Sequence, residues 1–122
     1  MKKLIILLLF TTLLSFSQQI DGTMVCKELV KIGVKYPEIV LAQAKLETGN
    51  FKSAYCNERY NLFGFQTGKG YMYFKSWKHC CQYYKHWQDR HYRYGVDYYT
   101  FLVNIKYATD SNYIKKVKSC LN

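Results

Sequence analysis

Proline and acidic residues are scarce in this sequence. One of its 122 residues is proline, and eight are Asp or Glu against 18 Lys or Arg. Scarce proline, with 49% hydrophobic and 21% charged residues, excludes a disordered or low-complexity chain, and the length corresponds to one domain. The formal net charge of +10 indicates a polyanionic partner, which can be nucleic acid, a membrane surface or an anionic cell-wall polymer.

The first 17 residues have the layout of a secretory signal peptide. A basic start at Lys2 and Lys3 precedes an apolar run over 4–14, and Ser15 and Ser17 supply the small residues that a signal peptidase reads. The run is short for a membrane span, so an uncleaved anchor is the weaker interpretation. We therefore expect an exported protein, periplasmic or extracellular at the cell wall, without stable membrane insertion after cleavage.

Cleavage before Gln18 leaves one domain over residues 18–122, and the loss of Lys2 and Lys3 lowers its formal charge from +10 to +8. Export disfavours nucleic acid as a partner. It also permits disulfides among the five cysteines. Because the count is odd, at least one cysteine has no partner within the chain, and Cys26 with Cys120 is one possible pair. The His and Cys residues within 79–91 lack the paired spacing of metal ligands, so we expect no metal and no cofactor.

The hydrophobic pattern predicts a mainly α (α+β) fold with one small β element. The helices are expected over 23–34, 37–48, 77–91, 97–107 and around 113–117. The segment 37–48 is apolar nearly all round, so it is expected to be buried at the centre of the domain. Two aromatic runs, 63–66 and 71–74, flank a Gly-containing turn and predict a short hairpin.

A single carboxylate, Glu47, lies at the end of the most apolar helix. A carboxyl group there is partly removed from water, which raises its pKa and keeps the proton that a general acid needs at neutral pH. A surface glutamate at a helix end is the plain alternative. That alternative is weakened because a negative charge beside the negative end of the helix dipole is mildly unfavourable.

Three segments carry a resemblance to a known family. They are Pro37 to Gly49, ending in Leu46-Glu47-Thr48-Gly49, then Asn61-Leu62-Phe63-Gly64, then Tyr107-Ala108-Thr109-Asp110-Ser111-Asn112-Tyr113. In this order they resemble the bacterial glucosaminidase domains of glycoside hydrolase family 73, which include autolysins and the flagellar peptidoglycan hydrolase. The family usually has proline where Ser111 stands. The resemblance covers residues 36–117 and implies a lysozyme-like helical domain with a small β-hairpin lobe.

The resemblance also implies an activity and a set of site residues. The expected reaction is hydrolysis of the β-1,4 bond after N-acetylglucosamine in the glycan strands of peptidoglycan, by a monomer. Glu47 matches the catalytic general acid and Tyr107 the active-site tyrosine, with Tyr113 in reserve. The residues expected to shape the cleft beside Glu47 are Asn61, Phe63 and Gly64. The Asn61 amide is a candidate partner for an N-acetyl group, because it both donates and accepts hydrogen bonds.

The segment 62–88 contains no Asp or Glu, so the second acid of an ordinary glycosidase is unassigned. Two solutions are open. In the first, the substrate's own acetamido oxygen attacks the anomeric carbon while Glu47 protonates the leaving oxygen and Tyr107 orients the acetamide. In the second, Glu58 or Asp97 folds toward the cleft and activates water. We favour the first, which predicts retention of configuration.

Aromatic residues make up 18% of the chain, with 13 tyrosines. Those at helical spacing are expected mainly in the core, whereas Tyr71 and Tyr73 in the predicted hairpin are candidates for stacking on sugar rings. Two other functions are kept as alternatives: a non-catalytic module that binds wall glycans with the same fold, and a lytic transglycosylase. A thiol peptidase using Cys56 is disfavoured, because nothing beside that cysteine resembles a nucleophile site.

Overall fold

The computed structural model describes residues 19–122, apart from the side chain of Tyr55. The expected signal peptide therefore lies outside the described residues. Within them, six helices accompany one two-stranded antiparallel sheet. The helices are α1 (Gly22–Lys31), α2 (Pro37–Thr48), α3 (Ala54–Arg59), α4 (Trp77–His91), α5 (Tyr98–Asn104) and α6 (Tyr113–Ser119), and the strands are β1 (Gln66–Thr67) and β2 (Gly70–Tyr71). The prediction of a mainly helical fold with one small β-hairpin is confirmed.

Helix α2 is the central element, as its apolar sequence predicts. Pro37 occupies the first position, where its missing N–H is not needed for helical hydrogen bonding. Gly49 ends the helix with a φ of 57° and donates its N–H to the Lys45 carbonyl. Helices α1 and α6 pack against α2. Its buried residues are Ile39, Val40, Ala42, Gln43, Ala44 and Thr48.

Two helices end earlier than the periodicity predicts, because the chain turns through a positive φ. Helix α1 stops at Lys31, and Gly33 follows with a φ of 81°. Helix α5 stops at Asn104 and Lys106 follows with a φ of 56°. In both turns the N–H groups donate back to carbonyls of the last helical turn. Apolar periodicity continues past these turns and does not report them.

The short elements are the ones that the sequence predicts least well. Helix α3 has no apolar period, and its only local signal is the N-cap Ser53, whose hydroxyl accepts the Cys56 N–H at 3.3 Å. The hairpin is limited to the pairs Gln66 with Tyr71 and Thr67 with Gly70.

The sequence predicts Ser76 as the N-cap of α4 and Asp110 or Ser111 as the N-cap of α6, of which the first prediction is right and the second is wrong. Helix α4 has the expected bounds, and the Ser76 hydroxyl accepts the His79 N–H at 3.1 Å. Neither Asp110 nor Ser111 is the N-cap of α6, which follows Asn112. Asp110 instead accepts the Asn112 N–H at 2.9 Å and pairs with Lys116, so it stabilises the turn before the helix.

A buried polar network joins α2 to α4, α5 and α6. The Gln43 amide accepts the Tyr84 hydroxyl at 2.6 Å and donates to the Tyr113 hydroxyl at 3.0 Å. The Tyr84 and Tyr98 hydroxyls lie 2.5 Å apart, and Gln88 donates to Tyr98 at 3.0 Å. Buried polar groups satisfied in this way specify how the helices pack. Several of the tyrosines therefore serve the core, as their helical spacing predicts.

All five cysteines are free thiols, so the structure does not form a bond between Cys26 and Cys120. Cys56 and Cys80 are fully buried. Removal from water raises the pKa of Cys56 to about 11 and that of Cys80 to about 12. Both are therefore neutral thiols at physiological pH, which is the wrong state for a thiol nucleophile.

Candidate active site

Glu47 lies in the last turn of α2, where the backbone is held on both sides. The Thr48 hydroxyl donates to the Ala44 carbonyl at 2.6 Å and accepts the Phe51 N–H at 2.7 Å. Gly49 then reverses the chain. These contacts end the helix one residue after Glu47, whose side chain is half-buried.

The Glu47 side chain lines a cleft of about 570 Å³. One wall is the segment 63–66, which leads into β1, and the other is the segment 105–109, which follows α5. The lining residues are Glu47, Phe63, Gly64, Phe65, Gln66, Trp87, Ile105, Lys106, Tyr107, Ala108 and Thr109. The fold thus brings the three sequence motifs, which are far apart in the chain, to one cleft.

A larger cavity of about 660 Å³ lies elsewhere, beside α1 and residues 50–52. Its one acid is Asp21, whose carboxylate caps α1 by accepting the Met24 N–H at 2.9 Å. Volume alone would favour this cavity. The chemistry favours the cleft, because its carboxyl group is half-buried with a raised pKa and shares the lining with Phe65, Trp87 and Tyr107, whereas the Asp21 carboxylate is used as a helix cap.

Gly64 brings the backbone of the 63–66 wall directly against the Glu47 carboxyl group. Its φ is 70°, and an added Cβ would lie 3.0 Å from the Glu47 Cδ and closer still to Oε2. Only glycine satisfies both the left-handed conformation and the close approach. Gly64 therefore lies directly against Glu47 in the cleft.

Burial raises the pKa of Glu47 above the ordinary value of a glutamate. The cause is desolvation, which disfavours the charged form of a carboxyl group. Glu47 therefore keeps its proton to higher pH than a surface glutamate does. This is the property that a general acid needs.

Tyr107 bridges the two walls of the cleft. Its hydroxyl donates to the Phe63 carbonyl at 2.7 Å, and its ring packs edge-on against Trp87 with centroids 5.5 Å apart. Burial, with smaller effects from Tyr113 and Glu47, raises the pKa of Tyr107 well above its usual value. The phenol is therefore neutral at physiological pH, and its oxygen can accept a hydrogen bond while its proton is held by Phe63.

Tyr113 lies behind Tyr107 and not in the cleft. It is buried, and its ring stacks on Tyr107 with centroids 5.7 Å apart and planes 20° apart. Its hydroxyl accepts the Gln43 amide. Tyr113 therefore supports the Tyr107 ring from behind and is not among the residues that line the cleft.

Asn61 is also behind the cleft. Its side chain has no exposed surface, and its amide nitrogen donates to the carbonyls of Phe65 at 2.8 Å and Met72 at 3.1 Å. Its amide oxygen accepts the Phe65 N–H at 3.1 Å. Both donors of this amide are therefore used in joining the two sides of the hairpin lobe, and the structure does not place the amide in the cleft, where the sequence predicts contact with an N-acetyl group.

Tyr71 and Tyr73 are exposed but do not line the cleft. Arg59 connects them: its guanidinium donates to the Tyr71 carbonyl at 3.2 Å and lies 4.5 Å from the centre of the Tyr73 ring. The Tyr73 ring therefore packs against Arg59, whereas the contact of Arg59 with Tyr71 is made through the Tyr71 backbone carbonyl.

Neither candidate for a second acid reaches the cleft. Glu58 is exposed on α3. Asp97 is the N-cap of α5, and its carboxylate accepts both the N–H and the hydroxyl of Thr100 at 2.9 Å, which holds its pKa below the usual value. All eight Asp and Glu residues lie within the described chain. Among them Glu47 is the one that lines the cleft.

Several lining residues are not predicted as site residues by the sequence motifs. Phe65 and Gln66 directly follow the Asn61 to Gly64 motif, and Lys106 precedes Tyr107, so their positions beside assigned residues were the available signal. Trp87 gave no such signal, because its helical spacing on α4 is that of a core residue.

Comparison with known proteins identifies the family of this chain. The model of the glucosaminidase family, described as mannosyl-glycoprotein endo-beta-N-acetylglucosaminidase, matches residues 23–122. The chain belongs to the glucosaminidase family. Neither a curated protein nor a solved structure gives a match.

Membership of the glucosaminidase family gives the described domain a lysozyme-like fold. It indicates a glycoside hydrolase whose substrate is a glycan, and cell walls are where glucosaminidases of this family act. Between residues 19 and 122, no helix has the length and apolar character needed to cross a bilayer.

Proposed function

We propose that this glucosaminidase hydrolyses peptidoglycan at the β-1,4 bond after N-acetylglucosamine, with Glu47 as the general acid. The observation that carries the proposal is the single carboxyl group of the cleft, half-buried with a raised pKa and fixed against Gly64. A proton donor in this setting protonates the leaving glycosidic oxygen. Phe65 and Trp87, both in the lining, offer apolar faces for the sugar rings.

One carboxyl group in the cleft favours a substrate-assisted mechanism. In the first step the acetamido oxygen of N-acetylglucosamine attacks the anomeric carbon, the glycosidic bond breaks, and the Glu47 proton passes to the leaving oxygen. In the second step the Glu47 carboxylate takes a proton from water, which attacks the anomeric carbon and reopens the cyclic intermediate. Two displacements at one carbon retain the configuration.

Tyr107 has a specific part in this proposal. Its proton is donated to the Phe63 carbonyl, so its oxygen can act toward a ligand as a hydrogen-bond acceptor. An acetamido N–H that donates to this oxygen would be turned so that its carbonyl oxygen faces the anomeric carbon. Tyr107 thus acts by orienting the substrate's own nucleophile.

Analysis of the products tests the proposed reaction. Purified peptidoglycan is digested, the new reducing ends are reduced with borohydride, and the fragments are identified by mass spectrometry. We expect reduced N-acetylglucosamine at the new ends and, by NMR on a short glycan, a β-anomer as the first product. Anhydro ends would indicate a lytic transglycosylase, and binding without fragments would indicate a non-catalytic module. An α-anomer would overturn the substrate-assisted mechanism.

The net charge and the N-terminal sequence support a location at the cell wall. We infer that residues 1–17 direct export and that the domain acts as a monomer in the periplasm or outside the cell. Its positive formal charge attracts it to anionic wall polymers and not to nucleic acid. Fractionation of cells and N-terminal sequencing of the exported protein test this, with Gln18 as the expected first residue.

A further inference from the structure

One cation lines the cleft that holds Glu47. Lys106 is exposed and lies directly before Tyr107, and no other Lys, Arg or His of the described chain lines this cleft. Within residues 19–122 the salt bridges are those of Lys85 with Asp89 and of Lys116 with Asp110. The Lys106 ammonium is therefore available to a ligand.

Lys106 occupies a backbone position at which glycine is the ordinary residue. It follows α5 with a φ of 56°, its N–H donates to the Val103 carbonyl at 3.0 Å, and the Tyr107 N–H donates to the Leu102 carbonyl at 3.1 Å. This pair of bonds is the usual helix ending whose left-handed residue is most often glycine. A side chain there is held against its backbone preference, and such positions cluster at ligand sites.

We propose that Lys106 determines specificity in the cleft by binding a carboxylate carried by the glycan. This inference rests on the proposed function and deepens it, because it names acidic glycans as the preferred substrates. Apart from Glu47, the other lining residues are uncharged. An acidic substituent therefore has Lys106 as its one favourable charged partner there. In peptidoglycan the carboxylate can come from the lactyl ether of the sugar next to the cleaved bond or from the attached peptide.

Three soluble glycans distinguish the sources of the carboxylate. They are peptide-free strands with a free lactyl carboxylate, the same strands with that carboxyl converted to a methylamide, and strands that keep their peptides. Oligomers of N-acetylglucosamine serve as the neutral reference. The enzyme variants are Lys106→Met, which removes the charge, and Lys106→Arg, which keeps it. Lys115→Met is the matched control, because Lys115 is an exposed lysine on α6 that does not line the cleft.

We expect Lys106→Met to lower kcat/KM on the carboxylate-bearing strands about twofold to fivefold, the usual effect of one exposed charge pair. The loss on the methylamide strands and the neutral oligomers should be smaller than on the carboxylate-bearing strands, and Lys106→Arg should keep the preference. Lys115→Met should change none of these values. A greater loss on peptide-bearing strands than on peptide-free ones would assign the carboxylate to the peptide. Equal losses on every substrate, or no loss, would overturn the proposal.

Two further measurements separate this inference from stability and from the proposed reaction. Lys106→Gly should melt at an unchanged or higher temperature while it loses the preference, because glycine suits the turn. In a Glu47→Gln background, Lys106→Met should weaken binding of the peptide-free strand by calorimetry, and Lys115→Met should not. Binding that depends on Lys106 without hydrolysis by the wild-type enzyme would refute the proposed reaction alone. Binding that is indifferent to Lys106 would refute the inference.

Discussion

At the scale of single residues, the site depends on the fit between Gly64 and Glu47. An added methyl group at Gly64 meets the carboxyl group of Glu47, and it also occupies a φ of 70°, which costs a side chain about 1–2 kcal/mol. Both effects come from the same position. They can be separated by comparison with another glycine of positive φ.

We expect Gly64→Ala to destabilise the fold by about 1–2 kcal/mol and to lower kcat at least tenfold, because the Glu47 carboxyl must move. The control is Gly33→Ala, whose φ is 81° and whose Cβ would meet only Lys85 Cε at 3.8 Å. It should lose similar stability and keep its kcat. Urea denaturation and initial rates give the two quantities. Equal kcat values for the two folded variants would contradict the assigned role of Gly64.

The raised pKa of Glu47 has a consequence for stability. In the pH range between its unfolded and folded pKa values the native state binds more protons than the unfolded state, so stability falls as pH rises through that range. Glu47→Gln removes the charge that burial disfavours. We expect this variant to be more stable than the wild type at pH 7, with a gain that disappears below about pH 4.

Thermal unfolding across this pH range measures the gain. The matched control is Glu58→Gln, because Glu58 is an exposed carboxyl group on α3. A stability gain of the same size in both variants would contradict the assignment of the effect to burial of Glu47.

At the scale of elements, Asn61 holds the hairpin lobe beside the cleft. Its three hydrogen bonds reach both sides of the hairpin, so its loss removes the partner of the part-buried Phe65 N–H and Met72 carbonyl, while the Phe65 carbonyl keeps the Met72 N–H at 3.0 Å. We expect Asn61→Ala to lower the free energy of unfolding by about 2–4 kcal/mol. The control Asn57→Ala, on the exposed surface of α3, should have an effect below about 0.5 kcal/mol.

The same variant distinguishes a structural from a substrate-binding role of Asn61. A structural role predicts faster hydrogen exchange of the Phe65 and Met72 amides. A variant of wild-type stability that only raises KM would contradict the structural account and restore the N-acetyl contact expected from the sequence.

Helix α2 and helix α4 could be predicted to the residue because their ends are written locally, in Pro37 and Gly49 for the first and in Ser76 for the second. The ends of α1 and α5 could not, because apolar residues continue beyond the left-handed turns at Gly33 and Lys106. Helix α3 is too short to show a period. The end of a helix can thus be predicted from the sequence where a capping residue determines it, and cannot be predicted where apolar residues continue beyond the turn that determines it.

At the scale of the molecule, the three motifs identify the cleft but not its whole lining. Glu47, Gly64 and Tyr107 meet there, whereas Asn61 and Tyr113 lie behind them as supports. The position of a residue within a sequence motif does not distinguish a residue that contacts substrate from one that holds such a residue in place. Trp87 and Lys106 enter the cleft through the packing of α4 and through the backbone turn after α5, which no local pattern reports.

The scarcity of acids acquires a definite meaning in the folded protein. Eight carboxyl groups are present, and the fold brings one of them to the cleft. The others cap helices, pair with lysines or lie elsewhere, as Asp97 and Asp110 show. The proposed reaction therefore depends on Glu47 as its sole protein acid.

The most direct test of that claim is the rate of glycan cleavage by Glu47→Gln on purified peptidoglycan, measured as new reducing ends per enzyme molecule. Glutamine keeps the size of the side chain and removes the proton donor. With the folded state verified by circular dichroism and Glu58→Gln as the control, the account predicts a loss of about 10²–10⁴-fold for Glu47→Gln and no loss for the control. Cleavage by Glu47→Gln at the wild-type rate would contradict it.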